Sequence, residues 1–174
     1  MMKLATNFKI DSAKAKMLFD KFTRRALAAF GIRSVVLTED SDLDRDCGID
    51  AVAMKGDNTI FLASRIIEVK PNCGDYDCFS LRNKRLSGTR TEIEKLEHNI
   101  KNNLPRPHFH VQTFVDDSLA NVGIVRTRDL VNYVATHETK IKTTRNGTEF
   151  KLAPWNDLIR AGVDVRTIQI SAKK

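Results

Sequence analysis

The sequence is poor in the residues on which small secreted proteins depend for stability. Its only cysteines are Cys47, Cys73 and Cys78, an odd number and too few for a disulfide framework in a chain of ordinary core size. We therefore expect free thiols. A zinc set that adds His108 and His110 to Cys73 and Cys78 is not favoured, because the C-x4-C and H-x-H spacings match no common zinc module.

Long apolar runs and linker-like segments are also missing. No stretch approaches the roughly 18 apolar residues of a membrane span, and residues 1–7 lack the apolar core of a secretory signal. These absences predict a cytoplasmic protein with no membrane partner. With 41% apolar residues, no internal repeat and no Pro- or Gly-rich linker, residues 1–174 are interpreted as a single globular α/β domain.

Positive charge is what the sequence has in excess. The chain carries 29 Lys and Arg residues against 22 Asp and Glu, for a formal net charge of +7, and such a balance attracts polyanions. Basic residues are concentrated between Arg82 and Lys95. Nucleic acid, either DNA or RNA, is therefore the predicted partner. The residues predicted to bind its phosphates are Arg65, Arg82, Lys84, Arg85 and Arg90.

Hydrophobic periodicity and turn residues predict the order of the elements up to residue 115. Apolar residues at helical spacing indicate helices, and alternating or β-branched runs indicate strands. Thr89 and Thr91 are alternative starts for the second helix, because each has a glutamate three residues later. The predicted elements are a helix over 11–30, strands over 32–37, 48–54 and 59–69, a helix ending before Pro105, and a strand over 109–115.

The rest of the chain is interpreted as an extension of that core. We place the core at about 11–115 and the C-terminal extension at about 116–174. The extension is predicted to add a helix over 127–137 and a β-hairpin over 140–152, which turns at Asn146-Gly147. A short helix over 154–162 and a last strand over 163–170 complete it.

Acidic residues are concentrated where the second and third strands are expected to approach each other. Asp46 and Asp50 belong to an acidic cluster that leads into the second strand, and Glu68-Val69-Lys70 ends the third. In an E-x-K sequence the glutamate and the lysine lie on the same face of a strand. Two or three such carboxylates beside a lysine could hold Mg²⁺ against a phosphate and orient a water.

Together with the order of elements, these residues resemble the PD-(D/E)XK nuclease superfamily. The resemblance implies a restriction-endonuclease-like core of helix, three strands, helix and strand. It also implies an aspartate on the second strand and a (D/E)-x-K on the third that bind metal and activate water. It assigns Asp50, Glu68 and Lys70 as catalytic residues, Asp46, Asp50 and Glu68 as metal ligands, and Mg²⁺ or Mn²⁺ as the cofactor. It further favours a bacteriophage origin.

Strand register leaves two functions open. A two-residue turn at Gly56-Asp57 places Asp50 beside Ala63, so that an alanine and Arg65 stand where the family has an acid and a lysine. A longer loop would move the partner of Asp50 to Ser64 or Arg65. A degenerate site of this kind favours a non-catalytic protein that binds nucleic acid or inhibits a host nucleic-acid-processing machine. An intact site favours a metal-dependent endonuclease or exonuclease.

Overall fold

A computed structural model of the chain describes residues 12–39, 41–69, 77–84, 90–144 and 146–172. The described strands are β1 (Ile32–Leu37), β2 (Ala51–Lys55), β3 (Asn58–Glu68), β4 (Cys78–Lys84), β5 (Phe109–Asp116), β6 (Leu119–Arg126), β7 (Lys140–Thr143), β8 (Glu149–Pro154) and β9 (Val165–Ser171). Residues 12–29 are helical and form α1. The later helices are α2 (Asp42–Cys47), α3 (Glu92–Lys101), α4 (Thr127–Thr136) and α5 (Trp155–Arg160).

A six-stranded mixed sheet forms the centre of the molecule, in the order β1-β2-β3-β5-β6-β9. Strands β1 to β3 are antiparallel, β3 and β5 are parallel, and β6 and β9 are each antiparallel to their neighbour. Parallel neighbours need a long crossover connection. Here the crossover contains β4 and α3. The predicted succession of helix, three strands, helix and strand is interrupted twice, by α2 between β1 and β2 and by β4 before α3.

Two hydrophobic clusters cover the two faces of this sheet. On one face the buried side of α1, including Phe22 and Leu27, packs against Leu62 of β3 and its neighbours. On the other face the cluster contains residues of β4, α4 and α5. Trp155 anchors this cluster, because it is only 5% exposed and its ring centroid lies 5.9 Å from those of Phe79 and Phe114.

A three-stranded antiparallel sheet, β4-β8-β7, contributes to the second layer. The hairpin predicted over 140–152 is thus confirmed, and it pairs with β4, which is not among the predicted elements. Within the described ranges no helix has the length and apolar character needed to cross a membrane.

Residues 116–172 contribute strands to the central sheet as well as to the second layer. Strands β6 and β9 extend the central sheet itself, and β6 has no counterpart among the predicted strands. Its alternation is interrupted by Gly123, which ordinarily weakens a strand. Gly123 is required here because a Cβ at this position would come within 2.5 Å of the Trp155 ring. Gly123, which interrupts the alternation typical of a strand, therefore makes room for the Trp155 ring.

The outer strand β1 is irregular. Its register with β2 shifts between Arg33 and Val36, and Ser34 adopts a positive φ of 52°. Arg33 is exposed, and Val36 is 65% exposed. This edge of the sheet therefore does not present an even row of backbone groups.

Candidate functional site

The turn between β2 and β3 sets the register on which the site depends. Lys55 pairs with Asn58 and Ala51 pairs with Leu62, so the connection is the two-residue turn Gly56-Asp57. Gly56 has a φ of +59°, a conformation that glycine adopts without steric cost. The paired residues begin at Ala51, so Asp50 stands just before β2 and contacts the Leu62–Ser64 segment of β3. The turn has the two-residue length for which the sequence predicts Ala63 as the neighbour of Asp50.

Asp50 is held in place by the backbone of β3. Its N–H donates to the carbonyl oxygen of Leu62 at 2.8 Å, and its Oδ2 accepts from the N–H of Ser64 at 2.6 Å. Burial, helped by the nearby Asp44 and Glu92, raises the pKa of Asp50 to about 7, although the Ser64 hydrogen bond and the Arg65 guanidinium oppose the shift. The carboxyl group is therefore protonated in a large part of the population at neutral pH.

The structure does not bring Glu68 to Asp50. Glu68 lies five residues beyond Ala63 on β3, about 16 Å along a strand at 3.3 Å per residue. Pairing of β3 with β5 is uninterrupted from Leu62 to Glu68, so no bulge shortens that separation. The Glu68 carboxylate instead contacts Lys14 Nζ at 2.7 Å. One metal ion, with ligands at roughly 2.0–2.6 Å, would not bridge Asp50 and Glu68.

The other predicted metal-site residues do not complete a cluster. Asp46 is exposed on α2, a short helix absent from the predicted elements, and not on the strand itself. Lys70 and Arg85 lie outside the described residues. Within the described ranges, no group of three or more His, Cys, Asp or Glu side chains is arranged to hold a metal ion.

What the fold does assemble around Asp50 is a polar pocket of about 310 Å³ at the N-terminal end of α3. We call it the α3 N-terminal pocket. Side chains from α2, β3, β4 and α3 meet there. Its lining residues are Asp44, Gly48, Asp50, Ser64, Arg65, Arg82, Arg90, Glu92 and Lys95.

A hydrogen-bonded chain runs behind this pocket. Arg65 donates to Glu92 Oε2 at 2.8 Å and to the carbonyl oxygen and Oγ of Ser80 at 2.6 and 2.8 Å. Glu92 Oε1 lies 3.2 Å from His110 Nε2, and His110 Nδ1 lies 3.0 Å from Thr127 Oγ1. With the carboxylate accepting from Nε2, a neutral His110 accepts from the Thr127 hydroxyl at Nδ1.

Glu92 is the anionic centre of that chain. Its desolvation by burial, which alone would raise the pKa, is outweighed by the Arg65 guanidinium and the hydrogen bond from His110, and the pKa falls to about 2. Glu92 therefore stays ionised at neutral pH. Its contribution to stability is present above its ordinary pKa and is lost as the pH falls from about 4.5 towards 2.

Three other cations line the pocket and form no salt bridge in the described ranges, although Arg90 is close enough to Glu94 to help lower the pKa of that carboxyl group: Arg82, Arg90 and Lys95. Arg82 stacks over Phe150, with its guanidinium carbon 5.6 Å from the ring centroid. Lys95 Nζ donates to the carbonyl oxygen of Asp44 at 3.3 Å. These cations are free to contact an anion in the pocket.

Two other predicted phosphate contacts already have ion-pair partners within the fold. Lys84 pairs with Glu149 at 3.3 Å, and Arg65 binds Glu92 and Ser80.

The sequence analysis did not identify Glu92 and His110 as site residues. Glu92 could have been recognised once Thr91 and Glu94 form the capping box, because Glu92 is then a first-turn residue with no capping role.

The raised pKa of Asp50 predicts a pH-dependent stability. Between its ordinary pKa of 3.8 and its folded value of about 7, the folded protein holds a proton that the unfolded chain has released. Stability should therefore fall as the pH rises through this window, by about 2 kcal/mol between pH 5 and 7. Urea unfolding at several pH values measures the free energy of unfolding. For Asp50→Asn this free energy should lack the part of the decrease between pH 5 and 7 that Asp50 causes.

Asp46→Asn is the matched control, because it removes an exposed carboxylate from α2. Its pH profile should follow that of the parent protein. Identical profiles for the parent and Asp50→Asn would contradict the raised pKa.

Comparison of the chain with models of protein families, with curated proteins and with solved structures finds no match.

Proposed function

We propose that the chain is a non-catalytic nucleic-acid-binding protein built on a nuclease-like core. In this proposal the α3 N-terminal pocket binds a backbone phosphate at the position where a nuclease would hold its metal. The observation that carries the proposal is the set of β3 contacts that Asp50 makes: it binds the backbone of Leu62 and Ser64, and no carboxylate of β3 stands beside it.

The order and pairing of the elements support the nuclease-like core. Helix α1 precedes three antiparallel strands, and β5 follows α3 as a parallel neighbour of β3. This is the succession expected of a PD-(D/E)XK core, with Asp50 just before the second strand. The inserted elements α2 and β4 and the added strands β6 and β9 leave the order of these elements unchanged.

The chemistry of the residues beside Asp50 supports a binding role. Ala63 offers no ligand, and Arg65 stands two residues further on the same strand, where an active nuclease would have lysine. Its guanidinium is already paired with Glu92. The Arg65 charge, which in a nuclease would stabilise an attacking hydroxide, is therefore neutralised by Glu92.

The pocket is suited to a phosphate. Arg82, Arg90 and Lys95 supply positive charge from β4 and the start of α3, and a phosphate neutralised by such side chains releases its counterions. Asp50, with its pKa near 7, donates a hydrogen bond to a phosphate oxygen whenever it is protonated.

A metal-dependent nuclease is the second candidate, and one observation favours it. Asp44 and Glu92 both raise the pKa of Asp50, which means that three carboxyl groups lie within electrostatic reach of one another. A divalent cation would relieve that repulsion. In this candidate Asp50 would be a metal ligand, while Glu68 would have no part.

A combined binding and cleavage assay separates the two candidates. Fluorescein-labelled single-stranded and duplex oligonucleotides, of DNA and of RNA, are incubated with the protein in EDTA, Mg²⁺ or Mn²⁺. We expect binding in EDTA and intact oligonucleotides under all three conditions. Cleavage that requires Mg²⁺ or Mn²⁺ and is lost in Asp50→Asn would establish the nuclease instead.

Glu68→Gln is the control in this assay and should change neither binding nor cleavage. Loss of activity in Glu68→Gln would restore the catalytic set that the sequence suggests. Absence of both binding and cleavage would refute both candidates.

A further inference from the structure

A second and larger pocket, of about 580 Å³, lies at the other end of α3. We call it the α3 C-terminal pocket. Helix α3 contributes Glu92 and Lys95 to the first pocket and Ile100 to the second. The second pocket is lined by Phe61, Ile100, Leu104, Pro105, Arg106, Pro107, His108, Arg126, Thr127, Arg128 and Asn132.

A fixed pair of rings forms part of the wall of this pocket. The Phe61 and His108 ring centroids are 5.3 Å apart. Two hydrogen bonds hold them together: the Phe61 N–H donates to His108 Nδ1 at 2.9 Å, and the His108 N–H donates to the Phe61 carbonyl oxygen at 2.7 Å. Because Nδ1 accepts, the neutral ring carries its proton on Nε2. The geometry leaves a preorganised aromatic surface with one N–H donor.

The charge state of His108 suits an aromatic ligand. Burial lowers the pKa of His108, and the neighbouring Arg106 lowers it further. The ring is therefore uncharged at neutral pH. An uncharged ring beside Phe61 offers its face for stacking.

Positive charge surrounds these rings. Arg106, Arg126 and Arg128 are all exposed, and none of them has an ion-pair partner in the part of the chain that the structure describes. Apolar side chains complete the wall, with Ile100 48% and Leu104 41% exposed. The pocket therefore combines an aromatic and apolar wall, whose two rings are tilted by 34° to each other, with three arginines that have no ion-pair partner in the described residues.

We infer that the α3 C-terminal pocket receives one unpaired nucleotide of a single-stranded nucleic acid, with its base on the Phe61 and His108 rings and its phosphates on the arginines. The inference rests on the proposed nucleic-acid binding and extends it to a second site. Base–aromatic stacking beside a basic surface is the general means by which single strands are bound.

Charge and shape select this ligand over the alternatives. An acidic peptide would satisfy the arginines, but its carboxylates give the ring pair no planar partner. A duplex would satisfy the arginines with its phosphates, but its bases are stacked on each other and do not reach into a pocket. An unpaired nucleotide supplies both the planar base and the phosphate.

The test uses fluorescence anisotropy with three labelled probes of equal length. These are a single-stranded oligodeoxynucleotide, the duplex of the same sequence, and a strand in which abasic spacers replace every base. We expect the parent protein to bind the single strand at least about 10-fold more tightly than the abasic strand, since stacking contributes substantially for each base. The same protein should prefer the single strand to the duplex.

Two variants examine the two halves of the pocket. Phe61→Leu keeps apolar volume in β3 and should abolish the difference between the single strand and the abasic strand. Replacing Arg106, Arg126 and Arg128 together by Gln should weaken binding of both strands, because both carry the phosphates that the arginines are proposed to contact. Since the three side chains are exposed, the variant should remain folded. Thermal unfolding of both variants verifies that they remain folded.

A matched triple variant with Gln at Lys21, Arg25 and Arg33, on α1 and β1, removes the same charge elsewhere and should bind the single strand more tightly than the pocket variant does. If the parent protein binds nucleic acid but binds single, abasic and duplex forms equally, or if both folded pocket variants behave like the parent, this inference is overturned while the proposed function stands. If no probe binds at all, the proposed function itself fails. Tighter binding of a polyglutamate peptide than of the single strand would assign the pocket to an acidic protein segment and also overturn the inference.

Discussion

Glu92→Ala should destabilise the protein by about 3 kcal/mol, the lower end of the range for breaking a buried ion pair, because the Arg65 and Glu92 side chains are 25% and 20% exposed. Glu92 holds Arg65 at 2.8 Å and His110 at 3.2 Å. Without it, a partly buried guanidinium loses its counter-charge and a buried imidazole loses its acceptor. Urea unfolding of the parent and the variant at pH 7 measures the difference directly.

Glu97→Ala is the matched control, because it makes the same substitution at an exposed position on the same helix. We expect a change within about 0.5 kcal/mol, as for surface substitutions generally. Equal effects at Glu92 and Glu97 would show that the contacts of Glu92 with Arg65 and His110 do not stabilise the fold. A parallel measurement at pH 3 should give a smaller effect for Glu92→Ala, because the stabilisation by the Glu92 carboxylate declines as the pH falls towards its folded pKa of about 2.

The second large effect is expected in the salt dependence of nucleic-acid binding. Replacing Arg82, Arg90 and Lys95 together by Gln removes three cations of the α3 N-terminal pocket. For a single strand, each phosphate contact contributes about 0.7 to the slope of log affinity against log salt, so the slope should decrease by about 2. Between 50 and 200 mM salt, the affinity of the parent should fall roughly 16-fold more than that of the variant.

Anisotropy titrations of the parent and the variant at several salt concentrations measure these slopes. The matched variant with Gln at Lys21, Arg25 and Arg33 has the same net charge and should retain more of the parent slope. If the two triple variants lose equal amounts of slope, binding depends on overall charge, and the α3 N-terminal pocket has no special role.

Much of the fold follows from local patterns in the sequence. The boundaries of α1 and β1 were predictable because apolar spacing, the stop at Gly31 and a β-branched run agree. The two-residue turn at Gly56-Asp57 even fixed the register of β2 with β3. What local patterns did not reveal was β6, whose Gly123 is explained only by a distant tryptophan.

The candidate site was less predictable, for a related reason. Asp50 could be found because an aspartate at the beginning of a strand is a local feature. Glu92 belongs to the site only because the fold brings the first turn of α3 into contact with Arg65 of β3, 27 residues earlier in the sequence. In the same way, Glu68 and Asp50 share an acidic motif in the sequence but are separated in space because β3 runs on without a bulge.

The irregular edge strand β1 has a consequence for association between molecules. A regular outer strand offers unpaired N–H and C=O groups at an even spacing, and another chain can add to it as a further strand. In β1 the shift between Arg33 and Val36 breaks that spacing, and Ser34 bends the backbone with its positive φ. Arg33 adds a charge that an incoming strand would have to accommodate. The protein thereby exposes Val36 at the end of its largest sheet without making that edge a template for aggregation.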